Sequence, residues 1–124
     1  MVGSVLIVDD DPAFRALAKR IVIDSGLSVV AEAGTAAAAV TAADELRPDA
    51  ILVDVGLPDR DGIDLACELH ARAWRPRVVL ISSDPDVAVL VPERCDMDGI
   101  ARTLPFVAKA ELPNAPLRRL LSDG

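Results

Sequence analysis

The sequence predicts an α/β fold, a doubly wound sheet of five parallel strands with helices on both faces. Three observations predict it. Short apolar runs of strand length alternate with segments that are apolar at helical spacing, five of each. The apolar supply is aliphatic: hydrophobic residues make up 52% of the 124 and aromatic ones 2%, which suits parallel strands buried on both faces. Acids close two of the runs, at Asp9-Asp10 and at Asp54, and ligands of open α/β sheets bind outside the carboxyl ends of the strands. The length is that of one domain with one core, residues 1–124.

The first strand is Val5-Leu6-Ile7-Val8, ending on Asp9, Asp10 and Asp11. Asp11 suits a helix N-cap and Pro12 the first helical position. Phe14, Leu17, Ala18, Ile21 and Val22 share one face of that helix, and Gly26 ends it. Residues 27–33 form the second strand. Gly34-Thr35 turns the chain, Thr35 caps an Ala-rich helix to Leu46, and Pro48-Asp49 breaks it.

The central strand starts at Ala50 and stops on Asp54, followed by Gly56, Pro58 and Asp61-Gly62, a loop composition. The third helix covers residues 63–73, with Ile63, Ala66, Leu69 and Ala73 inward. Val78-Val79-Leu80-Ile81 is the fourth strand, ending on Ser82-Ser83-Asp84. A fourth helix starts near Asp84-Pro85 and ends or kinks at Pro92. Phe106-Val107-Ala108 lies in the fifth strand, which ends on Lys109, and Pro105 suits only its first residue or an edge. Residues 114–121 make a last helix, with Leu117, Leu120 and Leu121 inward.

Composition excludes several classes of function. The net charge is -7 with no basic patch, which argues against direct nucleic-acid binding. No run has the length and apolarity of a transmembrane segment or a signal sequence, so the expectation is a cytoplasmic protein. Cys67 and Cys95 can pair in principle, but two cysteines make no disulfide scaffold, and reduced thiols are expected.

In a parallel sheet Asp9, Asp10, Asp54, Ser82 and Lys109 fall along one edge. Carboxylates so close repel unless a cation sits among them. Mg²⁺ takes oxygen ligands of this kind, from one or two carboxylates, a carbonyl and water. Asp54 is then a carboxylate nucleophile for phosphorus, giving an aspartyl phosphate. Lys109 and the metal offset charge on the transferring oxygens, and the Ser82 hydroxyl can bond one of them.

These residues, in this order, resemble the receiver domain of two-component response regulators. They are Asp9-Asp10 after the first strand, Asp54 within Asp-Val-Gly-Leu-Pro-Asp-Arg-Asp-Gly, Ser82 after the fourth strand and Lys109 near the fifth. The resemblance covers essentially the whole chain. It implies a flavodoxin-like fold with strand order 2-1-3-4-5, and a phosphoryl group passed from a histidine kinase, or a phosphotransfer protein, to Asp54. It further implies that Asp10, Asp54 and the Gly56 carbonyl bind Mg²⁺, with Asp9 acting mainly through water. Ser82 would be the switch hydroxyl and Phe106 the switch aromatic, and the face of helix 4, strand 5 and helix 5 would carry contacts to an output domain or effector.

The sequence departs from that pattern in places. Ala110 follows Lys109 where Pro is common. Phe106 has no hydroxyl, so a switch there works by packing. Pro105 stands where small residues are usual, and Pro85, Pro92 and residues 95–99 make the fourth-helix region unlike a regular family helix.

Taken singly, these residues have plainer readings. Asp9 and Asp10 alone would solvate a helix start, Ser82 would be a loop serine and Phe106 core. Asp11, Asp59 and Asp61 read as turn and cap residues. His70 reads as a helix-end residue, Trp74 as packing, and Arg15, Lys19 and Arg20 as a solvated face. The leading function is a phosphoaccepting receiver, not an enzyme, without an output domain in this chain. One alternative is a receiver-like interaction module that signals without phosphorylation. The other is a phosphatase of the haloacid dehalogenase type, which needs an acid two residues after its nucleophile, where this chain has Gly56.

Overall fold

The computed structural model describes residues 3–83 and 104–122. Five parallel strands form one sheet in the order β2-β1-β3-β4-β5. They are β1 (Ser4–Val8), β2 (Ser28–Ala33), β3 (Ala50–Asp54), β4 (Arg77–Ser82) and β5 (Phe106–Ala108). The helices α1 (Pro12–Asp24), α2 (Ala36–Leu46) and α3 (Gly62–His70) connect the first four strands, as parallel pairing requires. The expected fourth helix, and with it Pro85, Pro92 and Cys95, lies outside the described residues.

Alternation along each strand builds two cores. Leu6, Val8, Ile51, Val53, Val78 and Leu80 face α2 and α3. Val5, Ile7, Leu52, Val79 and Ile81 face α1 and the C-terminal helix, Leu117–Ser122. All five residues of β3 are buried, as a central strand covered on both sides must be. The last of those five is Asp54, so the most buried strand delivers a carboxylate.

The helix starts follow their caps. Asp11 accepts from the Ala13 N–H and Pro12 opens α1; Thr35 accepts from the Ala38 N–H; Asp61 accepts from the Ile63 N–H at 2.8 Å. Asp59 also caps, but across the chain. Its two carboxylate oxygens take the Ala36 and Ala37 N–H groups of α2 at 2.8 and 3.1 Å. Those bonds, the Ala36 one foremost, hold its carboxyl below the usual range.

Four expectations need correction. Leu17 is 47% exposed: the buried stripe of α1 centres on Ala18 and Val22, leaving Leu17 on its rim. Helix α3 stops at His70, not 73, where the chain turns and Arg75 takes a left-handed conformation at φ 53°. Residues Lys109–Asn114 form a 3₁₀ helix containing Pro113, and the last α-helix starts only at Leu117. Ala115, the residue before Pro116, is extended at ψ 146°, because proline disfavours the α region in the residue that precedes it, so an α-helix cannot run through 115. Finally, Cys67 is disulfide-bonded rather than reduced; it flanks the α3 core, half-buried.

Candidate functional site

Asp9 follows β1, Asp54 ends β3 and Lys109 follows β5, so the parallel order brings them to one edge of the sheet. Carboxylate oxygens of Asp9, Asp10 and Asp54 lie within 4.8 Å of one another. Asp9 is fully buried, Asp54 nearly so, and Asp10 is exposed. Ser82, buried at the end of β4, pairs in register with Ala108. Gly56 lies in the loop after β3. Phe106 is half-buried among the α2–α3 core side chains, opposite Leu80 in the sheet.

Local bonds fix the acids. The Asp9 N–H reaches the Ala33 carbonyl at 3.0 Å, and Asp9 Oδ1 accepts from the Asp11 N–H at 2.8 Å. Asp54 Oδ1 accepts from the Gly56 N–H at 3.2 Å. The Lys109 ammonium sits 2.6 Å from Asp9 Oδ2 and 3.5 Å from Asp54 Oδ2. Apart from that ammonium, the buried Asp9 Oδ2 has no hydrogen-bond partner among the described residues. It is a buried oxygen with capacity to spare, among three carboxylates, and this donor set suits a hard divalent cation such as Mg²⁺.

Electrostatics at this edge are unbalanced. Burial pushes the Asp54 carboxyl above its ordinary range, and repulsion from Asp9 adds to it; the Gly56 N–H and Lys109 pull the other way. Burial works against the Lys109 charge, yet the nearby Asp9 and Asp54 carboxylates outweigh it and hold the ammonium above its usual value.

A stability test follows for Asp54. Its raised pKa means that the folded state binds this proton more tightly than the unfolded one. The stability so gained is complete below the unfolded carboxylate value and is lost as pH rises through the folded one. Ionisation of this group therefore works against the fold. Asp54→Asn should melt above the wild type at pH 7 in a chelator, and the gap should close as pH falls to 4. Thermal melts across that range check it.

Three contributors were not legible as site residues. The Arg15 guanidinium donates to the Asp9 carbonyl at 2.6 Å and pairs with Glu32 at 3.3 Å. The Phe14 ring centroid lies 4.5 Å from the Lys109 Nζ. Asp59 ties the loop after Asp54 to α2. Each acts through a contact outside its own helix or turn, and only the turn-and-cap character of Asp59 was readable locally. A cavity of about 280 Å³ opens elsewhere, lined by His70, Arg75, Arg77 and Leu104. It sits where β4 and β5 begin, and none of the site acids line it.

Known proteins with these features supply the family. The profile described as response regulator receiver domain matches residues 5–100. The chain is 37% identical over 78 residues to the chemotaxis protein CheY of Listeria monocytogenes, covering 63% of this chain and 66% of that protein. It is 38% identical over 76 residues to the transcriptional regulatory protein PdtaR of Mycobacterium tuberculosis, 61% of this chain but 37% of that longer protein. The response regulator domain of Thermotoga maritima CheB superposes with a TM-score of 0.71 at 26% identity, covering 92% of this chain and 90% of that one. A LuxR-family response regulator from Aurantimonas sp. SI85-9A1 gives 0.77 at 22% identity over 95% of this chain and 81% of its own, a likeness of fold. By its family profile, its sheet order and the acids gathered at one sheet edge, this chain belongs to the response regulator receiver domains.

Proposed function

We propose that the chain is a single phosphoaccepting receiver domain whose Asp54 takes a phosphoryl group from a sensor histidine kinase or a phosphotransfer protein. One observation carries the reading: three carboxylates within 4.8 Å of one another, two of them flanked by one lysine ammonium. An Asp54 carboxylate oxygen attacks phosphorus, and the bond from phosphorus to the donor breaks. Asp10, Asp54 and the Gly56 carbonyl would hold Mg²⁺, and Asp9 would act mainly through water. When bound there, the ion would offset charge on the transferring oxygens. Lys109 does the same from the other flank, and Ser82 donates its hydroxyl proton to a phosphoryl oxygen once the group is attached.

The attached group adds about -1.5 to -2 charge. Ser82 and the loop after it then move toward the new oxygens, and Phe106 turns inward by packing alone. The face that includes β5 and the C-terminal helix changes shape for an output domain or effector. The domain is a switch in the cytoplasm rather than an enzyme acting on a separate substrate. It binds neither nucleic acid nor membrane directly; among the described residues no helix is long and apolar enough to cross a bilayer.

The test is intact-mass measurement after incubation with acetyl phosphate and Mg²⁺. The wild type should gain one phosphoryl group, and Asp54→Ala or a chelator should abolish the gain. No gain by the wild type, or equal gain by Asp54→Ala, would overturn the assignment and leave the phosphorylation-independent interaction module.

A further inference from the structure

Lys109 is the group of this site with the most rotatable bonds. Asp9 and Asp54 are held by their strands and by backbone N–H groups, but a lysine ammonium rides on four rotatable bonds. Its position is defined by its surroundings: Asp9 Oδ2 at 2.6 Å, Asp54 Oδ2 at 3.5 Å and the Phe14 ring centroid at 4.5 Å. A cation within about 6 Å of a ring centroid, over its face, is attracted by the ring quadrupole, most strongly where water is excluded. The Lys109 side chain is 17% exposed, so the contact lies in the more favourable regime.

The placement of Phe14 is itself informative. The chain has two Phe, one Trp and no Tyr among 124 residues, and its cores are almost wholly aliphatic. Where apolar filling alone was needed, this sequence used Leu, Val, Ile or Ala. One of its three aromatic residues nevertheless stands against the site lysine. The Asp11 cap and Pro12 fix the start of α1, so Phe14, in the first turn, is presented at a defined height beside the sheet edge.

We propose that Phe14 is a positioning residue for Lys109, its ring face holding the ammonium between the Asp9 and Asp54 carboxylates, ready for the incoming phosphoryl oxygens. This rests on the phosphoryl-accepting reading of Asp54. Phe14 touches none of the reacting atoms; it acts through the lysine. With an aliphatic side chain in its place, the ammonium keeps its ion pairs but loses the attraction on its third flank. It then spends part of its time turned toward water, and phosphoryl transfer slows.

Substituting phenylalanine derivatives at position 14 of the full chain separates the ring's electrostatics from its packing. The 4-fluoro, 3,5-difluoro and 3,4,5-trifluoro forms keep nearly the same shape while progressively weakening the negative ring face. The rate of phosphoryl gain from acetyl phosphate should fall stepwise along the series, by about fivefold at its end. Phe14→Leu should show a similar loss and Phe14→Trp should keep the wild-type rate. A packing role would leave the fluorinated series flat, and a flat or rising series overturns the proposal.

A second readout needs no phosphodonor. The Lys109 side-chain protons next to Nζ should resonate upfield in the wild type, through the ring current, and return toward free-lysine positions in Phe14→Leu. Unshifted protons in the wild type overturn the contact. Failure of the wild type to gain any phosphoryl group, with the upfield shift present, removes the function of Asp54 and the catalytic part of this inference, and leaves the contact standing.

Discussion

Gly62→Ala is expected to lower stability by about 3 kcal/mol or more and to lower the melting temperature by about 10 °C. A Cβ at this position would lie 2.0 Å from the Asp54 carbonyl oxygen, 2.6 Å from the Val55 Cα and 2.8 Å from the Asp54 carbonyl carbon. All three are backbone atoms, so no side-chain rotation relieves the clash. The end of β3 or the start of α3 has to move. The hydrogen bond from the Gly62 N–H to the Val55 carbonyl at 3.0 Å sits at the same junction and would be displaced with it. Phosphoryl acceptance should fall too, because the displaced backbone carries Asp54. Gly56→Ala is the control: a Cβ there meets nothing within 4 Å, and its stability should stay within about 0.5 kcal/mol of wild type. Chemical denaturation of the two variants decides the matter. Equal stabilities would refute the close-approach argument.

Lys109→Met should cost about 3 kcal/mol in the absence of divalent cations. Removing one partner of a buried ion pair leaves the other charge uncompensated, which typically costs 3–5 kcal/mol. Here the abandoned group is Asp9, fully buried, with Asp54 beside it. Lys109 is partly exposed, so the low end of the range applies. Methionine keeps most of the apolar stem, which isolates the charge. Mg²⁺ should recover a larger share of stability in Lys109→Met than in wild type, since a cation among the carboxylates supplies what the ammonium did. Denaturation with and without Mg²⁺ measures both, and a variant as stable as wild type in chelator would show that the pair contributes nothing.

Most of the architecture was legible because its determinants are local. Apolar runs of four residues, the Asp11–Pro12 start, the Thr35 cap and the Asp61 cap are all written in adjacent positions, and each appears where the sequence puts it. The gathering of Asp9, Asp10, Asp54 and Lys109 followed from one topological step, that parallel strands end on the same edge. What escaped depends on distant partners. Nothing near Phe14 foretells that its ring meets a lysine ninety-five positions on. Arg15 looked like a solvated face until its guanidinium was seen on the Asp9 carbonyl. Asp59 announced a cap, but of the helix before it rather than the one after. Pro116 shortened the last helix by keeping Ala115 extended, an effect that a count of inward leucines does not register.

Trp74 is the chain's single indole, and there is no tyrosine. Its Nε1 donates to the Pro48 carbonyl at 2.9 Å, and the Arg47 guanidinium stands 5.8 Å from the ring. Pro48 lies just before β3, whereas Asp54 ends it, so the strand alone puts about 13 Å between the fluorophore's end of the sheet and the carboxylates'. Its emission will therefore register the cooperative loss of structure while remaining nearly blind to cation loading. That makes it a clean optical gauge for the denaturation experiments and a poor one for titrating the acidic edge.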